Sequence, residues 1–402
     1  MDRPAIEVAD IFRRYGEVYR VQAGTALSSV HGRVMAAIER CRTAALGGHV
    51  EQCERCQYRR ISYNSCRNRH CPKCQGLARA AWIEHRTAEL LDTEYFHVVF
   101  TVPAAIAELA YYNKRVVYNI LFRATAETLR TIAADPQHLG AAIGFFAVLH
   151  TWGQALQHHP HLHCVIPGGG PSTDGTQWVS ARPGFFLPVR VLSRLFRRLF
   201  LKYLQTAFDG GRLQCVASLA PLAHRRAFAQ YVASTQQTDW VVYAKRPFAG
   251  PRQVLDYVGR YTHRVAISNN RLVDLSDGKV RFQWKDYRNP EPHQKTMTLA
   301  ASEFIRRFLL HVLPSGFQRI RYFGFLGNRQ RAARLAQCRA LLKMAPPDPL
   351  RVTPTAATDY RDRYEALTGV SLRVCPRCHD GRMTVVEYLV RTSCTPALIN
   401  TS

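Results

Sequence analysis

No stretch constrains the fold more than His150 to Gly170, HTWGQALQHHPHLHCVIPGGG. Its centre, Pro160-His161-Leu162-His163, runs into Cys164-Val165-Ile166 and stops at Pro167 and three glycines. β-Branched and apolar residues bounded by proline and glycine read as a buried strand. Side chains two apart on a strand share a face. His161 and His163 therefore present two imidazoles side by side, and Leu162 turns into the core. A second apolar run, Ile143 to Leu149, ends at His150. If the two runs pair as a hairpin, His150 faces the same site. Three histidines with an open position form a metal site suited to catalysis. A lone His-x-His on a strand is often surface or satisfied core; here the preceding histidine, the proline and the glycine stop favour a metal. His158 and His159 fall in the predicted turn and are expected to be solvated or to contact phosphate.

The charge balance points to the partner. Lys and Arg number 55 against 29 Asp and Glu, a net charge of +26 at pH 7. Such a chain favours a polyanion, most simply nucleic acid. A basic membrane-binding or ribosome-associated protein is the blander reading. At 402 residues, 47% hydrophobic and 21% charged, the chain is globular with room for two or three domains. No run of about 18 apolar residues marks a membrane span, and the amphipathic N-terminus lacks a signal-peptide core. A DNA-associated protein of a reducing cytoplasm is expected. There, 12 cysteines suggest metal sites rather than disulfides.

Cys53-x-x-Cys56 and Cys71-x-x-Cys74 are separated by fourteen residues. Each CxxC turn supplies two thiolates, so Cys53, Cys56, Cys71 and Cys74 are expected to close one tetrahedral zinc site. Cys41, His49, Cys66 and His70 crowd the same segment as candidates for a second zinc, with the two histidines alternatively touching DNA. Arg67, Arg69 and Lys73, interleaved with Tyr58 and Tyr63, suit a DNA end: cations hold phosphates and rings stack on unpaired bases. Further on, Tyr257 and Tyr261 stand four apart after Pro251, a common first helical residue. On a helix both hydroxyls project from one face, among Arg252, Arg260 and Arg264. Such a pair alone is more often core packing; in one chain with His-x-His it reads as catalytic. Ala345 to Thr358 reads as a linker. The tail carries Cys375-Pro-Arg-Cys378, half of a zinc ribbon whose other half is not obvious from the sequence.

In this order the motifs resemble a known family. The segment Tyr63 to Gln75 is similar to the zinc-binding domain at the front of rolling-circle transposases. Pro160-His161-Leu162-His163 resembles the motif of HUH endonucleases, which cut single-stranded DNA with a tyrosine. With YVGRYTHRVAISNNRL, the chain resembles the two-tyrosine HUH transposases of the insertion-sequence-91 type over most of residues 40–335. The resemblance maps the histidine pair onto His161 and His163 and the nucleophiles onto Tyr257 and Tyr261. The eleven-residue step from His150 to His161 is similar to the three-histidine motif of conjugative relaxases. His150 fits as third ligand, with Gln154 as the alternative.

The resemblance implies an α+β fold: an HUH-like antiparallel sheet with packed helices, preceded by a small helical zinc-binding domain. The expected divisions are 1–91 for the zinc and DNA-binding part, 92–344 for the catalytic part, and 345–402 for a linker and tail. Implied cofactors are Mg or Mn at the histidines and structural Zn. Implied partners are single-stranded DNA and transposon ends, with no membrane. A relaxase or rolling-circle replication initiator would share the chemistry. A non-catalytic zinc DNA-binding protein is the alternative of a different class.

Overall fold

The computed structural model describes residues 6–245, 253, 259, 266–286, 293–345 and 359–392. Helices α1 (Val8–Ala23) and α2 (Ser29–Arg40) open the chain, and the Ser28 hydroxyl oxygen caps α2 by accepting from the His31 amide at 3.2 Å. Strands β1 (Gly48–Cys53) and β2 (Arg59–Tyr63) form a hairpin, followed by α3 (Gln75–Thr87). Then come β3 (Tyr95–Thr101), α4 (Ala104–Tyr112) and α5 (Lys114–Ala134). The hairpin of β4 (Phe145–Trp152) and β5 (His158–Pro167) leads into short strands β6 (Gly169–Pro171) and β7 (Trp178–Ser180). Helices α6 (Val189–Asp209) and α7 (Arg225–Gln236) precede β8 (Val242–Lys245). Strands β9 (Leu272–Ser276), β10 (Lys279–Asp286) and β11 (His293–Ala300) are followed by α8 (Ala301–Leu310) and β12 (Ile320–Phe323). Helices α9 (Arg331–Leu341) and α10 (Tyr360–Thr368) and strand β13 (Met383–Leu389) complete the described elements.

The chain divides into two compact units, each assembled from separated segments. The second unit, 82–262 with 313–352, is built on an antiparallel sheet in the order β12-β4-β5-β3-β8. Alternation along the strands gives this sheet two unlike faces. Phe96, Val98, Phe100, Leu149, Leu162, Cys164 and Ile166 pack into a core with Leu121 and Phe122 of α5 and Phe196 and Phe200 of α6. Each large apolar side chain so buried contributes roughly 1.5–3 kcal/mol, which fixes the strand register, since a one-residue slip would exchange the faces. Leu162 turns into this core as its place between the two histidines required. The other face carries Tyr95, Phe146, Val148 and Val165, packed with Trp82 and Tyr322, and the histidines beyond them.

The first unit, 1–81 with 263–312 and 353–402, contains two three-stranded sheets, β13-β1-β2 and β11-β10-β9. Phe12 of α1 meets Phe308 of α8 edge-on at 5.3 Å. The mixed, antiparallel fold class is the expected one. The expected division into consecutive blocks is not what the structure shows. The tail was set apart as 345–402, but its strand β13 pairs with β1 from Gly48↔Leu389 to Cys53↔Met383. Residues 263–312, placed by sequence with the catalytic part, also cluster with the first unit. Strand pairing acts through space, and an unfilled side of β1 takes its partner from wherever the chain returns.

Candidate active site and metal centres

The β4–β5 pairing sets His150 directly opposite His161 and places His163 opposite Val148. The register shifts between His150 and Trp152, a bulge of the kind that re-aims side chains beside sites. His150, His161 and His163 bring one ring nitrogen each within 4.8 Å of the others. Ring centroids are 4.1 Å apart for His150–His163, 4.9 Å for His161–His163 and 5.4 Å for His150–His161. His150 is 2% exposed and Trp152 stacks on it at 4.7 Å. Gln154 lies in the 153–157 turn that joins the strands.

Hydrogen bonds preset the imidazoles. His161 Nδ1 lies 2.7 Å from the His159 carbonyl oxygen. A carbonyl only accepts, so Nδ1 carries the proton and the Nε2 lone pair is left for a cation. Burial lowers the His161 pKa to about 4, keeping it neutral near pH 7, as a metal ligand must be. His163 Nδ1 lies 2.7 Å from His97 Nε2, with the rings stacked at 4.9 Å. A cation on His163 Nε2 would make Nδ1 the donor and His97 the acceptor. As neutral ligands, three imidazoles would fit a divalent transition metal such as manganese, or magnesium held largely through water and phosphate.

His97, on β3, is a neighbour of the site that no motif in the sequence marks. Its signal is an imidazole within an apolar run, on the face that Val99 shares with its partner His163. Tyr243 lies on this face too: it pairs with Val99 and is 53% exposed. Tyr257, Tyr261, Arg252, Arg260 and Arg264 lie outside the described residues.

His158 and His159 correct their assignment to a solvated turn, because both belong to β5. His158 Nδ1 donates to the Ala107 carbonyl at 2.9 Å, and its Nε2 accepts from the Tyr118 hydroxyl at 2.8 Å. Burial lowers its pKa to about 4. It is a neutral structural bridge from β5 to α4 and α5.

The cysteines assemble in a different combination from the expected one. Cys41, Cys66, Cys71 and Cys74 form one group, and Cys53, Cys56, Cys375 and Cys378 another. In the first, sulfurs stand 3.5 Å apart for Cys41–Cys74 and 3.6 Å for Cys66–Cys74. A tetrahedron with metal–sulfur bonds of about 2.3 Å has edges of about 3.8 Å, so the donor set fits a closed zinc site. The two CxxC turns thus do not share a site: Cys53-x-x-Cys56 occupies the β1–β2 turn, while Cys71 and Cys74 lie on the short turn that leads into α3. Among the described residues neither His49 nor His70 joins a group. His49 Nε2 lies 3.7 Å from Glu51, and buried His70 bonds through Nδ1 to Asn68 at 3.1 Å.

Of the basic residues expected at DNA, Arg67 is exposed and Arg69 half-buried. The Lys73 side chain is only 7% exposed and forms an ion pair with Glu7. Lys73 is therefore a structural contact of the helical part, a correction to its expected phosphate role, because its charge is already compensated inside the fold.

Two family models match the chain. One is described as "Transposase zinc-binding domain" and covers residues 11–102; the other, "Putative transposase", covers residues 144–334. The first range includes Cys41, Cys66, Cys71 and Cys74, the second the three histidines and both tyrosines, and Cys375 and Cys378 lie outside both. "Putative transposase y4qJ" of Sinorhizobium fredii is 67% identical over 402 residues, 100% of both chains. "Transposase for insertion sequence element IS801" of Pseudomonas savastanoi pv. phaseolicola is 30% identical over 315 residues, 77% of this chain and 73% of that one. No solved structure matches the chain.

Proposed function

The chain belongs to the transposases of the insertion-sequence-91 and insertion-sequence-801 type, and from that premise we propose that it cuts and rejoins single-stranded DNA at transposon ends through a tyrosine–phosphate ester. The observation that carries the reading is the convergence of three imidazoles, on paired strands of a rigid sheet, within 4.8 Å. His150, His161 and His163 would hold a divalent cation. Bound there, such a cation supplies Lewis-acid polarisation of a phosphate and fixes its orientation.

The rest falls to the protein's own groups. The hydroxyl of Tyr257 or Tyr261 attacks phosphorus, a P–O bond to tyrosine forms and the P–O3′ bond breaks. The tyrosyl proton leaves to solvent and the departing 3′ oxygen takes one up. The product is a 5′-phosphotyrosine beside a free 3′-hydroxyl. One phosphoester replaces another, so the reverse step rejoins strands without an outside energy source. Free tyrosine ionises near pH ~10, and Arg252, Arg260 and Arg264, close by in sequence, favour the phenolate by charge. The net charge of +26 favours the polyanionic substrate.

A labelled single-stranded oligonucleotide of the element's end, incubated with Mn²⁺ or Mg²⁺, should yield a covalent adduct that maps by mass to Tyr257 or Tyr261. The Tyr257→Phe/Tyr261→Phe variant should form none. An adduct surviving in that variant would shift the nucleophile to another tyrosine, Tyr243 first because of its place on the histidine face. No adduct under any cation, with DNA still bound, would leave a non-catalytic binding protein.

A further inference from the structure

Neither matched range nor the chemistry above accounts for Cys375 and Cys378. We propose that Cys53, Cys56, Cys375 and Cys378 bind a second zinc ion, which fastens the tail to the β1–β2 hairpin and completes the first unit with residues remote in sequence.

The sulfur geometry is that of a tetrathiolate. Cys56 and Cys375 sulfurs stand 3.6 Å apart although the residues are 319 positions apart in sequence. Cys53 and Cys378 sulfurs stand 3.7 Å apart. A disulfide needs about 2.05 Å, whereas the edge of a zinc tetrathiolate is about 3.8 Å.

The two CxxC turns are built alike. Each has a residue with positive φ just after its second cysteine, Gln57 at 59° and His379 at 56°. In each, that residue's amide donates to the carbonyl of the first cysteine, at 3.1 Å to Cys53 and 3.0 Å to Cys375. Amides also point at sulfur: Cys56 to Cys53 at 3.4 Å, Arg377 to Cys375 at 3.4 Å and Gly381 to Cys378 at 3.3 Å. Left-handed backbone at a residue with a side chain costs about 1–2 kcal/mol. Paying it twice, in matching turns whose amides face sulfur, is accounted for by a cation held between them.

The surroundings fit only with the tail in place. Cys53 and Cys375 are fully buried, beside Met383 and Tyr58. Gly381 lies so close to the Cys53 sulfur that a Cβ there would collide with it. The Glu51 carboxylate, 1% exposed, receives Arg60 at 2.6 Å from β2 and Arg361 at 3.5 Å from α10. Zinc is the cation named because four thiolates in tetrahedral array are its structural coordination and it needs no redox partner.

The test uses the full-length, zinc-loaded protein. Elemental analysis should show one zinc fewer per chain in Cys375→Ser/Cys378→Ser than in wild type. An unchanged zinc count in the tail variant would overturn the proposal. Should that variant not fold, alkylation of the wild-type protein decides. Cys53, Cys56, Cys375 and Cys378 should become reactive together when a strong chelator is added, by at least about tenfold, since metal-bound thiolates are masked until the metal leaves. Cys375 and Cys378 reacting equally fast with and without chelator would refute it. A ferric tetrathiolate absorption in freshly purified protein would replace zinc by iron and overturn the metal named.

Discussion

The histidine site and the cysteine sites are both metal-competent, and they are built on opposite plans. The histidines stand on β4 and β5 within one packed sheet, and three of them leave coordination open. The cysteines stand on turns, in closed sets of four. The sheet holds its site through the burial of Leu149, Leu162 and Cys164 on the opposite face, so packing alone places the three imidazoles. Around Cys53 and Cys375 the packed apolar side chains are few, buried Met383 and partly buried Tyr58, so there a metal would supply the cohesion. Open sites on rigid strands suit chemistry; closed sites on turns suit folding.

Metal removal should separate the two plans most sharply. Structural zinc contributes on the order of 10–16 kcal/mol of binding free energy to small domains. A strong chelator, or Cys71→Ser, should therefore unfold the first unit while the sheet of the second persists, seen as early loss of one melting transition. A single transition unaffected by chelator would remove the distinction.

Next in size is loss of a histidine ligand. His161→Ala should lower strand cleavage by at least about 10³-fold, about 4 kcal/mol in the barrier. It should leave the melting temperature and single-stranded DNA affinity close to wild type, because phosphate contacts are spread over many cations. A stable His161→Ala protein that still cleaves at the normal rate would disprove the site. His150→Ala cleaving normally while His163→Ala is dead would pass the third position to Gln154.

A smaller effect is expected at His97, a positioning residue. His97→Phe keeps the ring but removes the partner of His163 Nδ1. Loss of such an outer partner typically costs about 10- to 100-fold in metal affinity. Mn²⁺ titration by calorimetry should show that weakening; unchanged affinity would make His97 a packing residue only.

pH dependence tests the packing of the second unit by itself. His158 and His161 have folded pKa values of about 4, lowered by burial from 6.5. Above pH 6.5 neither folded nor unfolded chain protonates them. As pH falls below 6.5 the unfolded chain takes up protons that the folded chain refuses until about 4, so stability declines through that window. The metal-free second unit should thus melt lower at pH 5 than at pH 7, and His158→Gln should reduce the difference. A flat profile in wild type would mean that these rings are hydrated.

The sequence by itself determined the alternation that faces His161 and His163 one way and Leu162 the other. It also determined the basic charge and the turn-forming CxxC pairs. Those are local properties, set by strand period and by residue chemistry. It did not determine which turn faces which. Cys53 and Cys56 seemed to belong with Cys71 and Cys74, yet they meet Cys375 and Cys378, because β13 fills the free side of β1. Likewise His97 joined the histidine face only through the β3–β5 register, and Lys73 left the DNA-binding set only when Glu7 met it. Spacing along the chain encodes the shape of a turn or strand. Partners across the fold are chosen by strand pairing and burial, which act between residues that no local pattern connects.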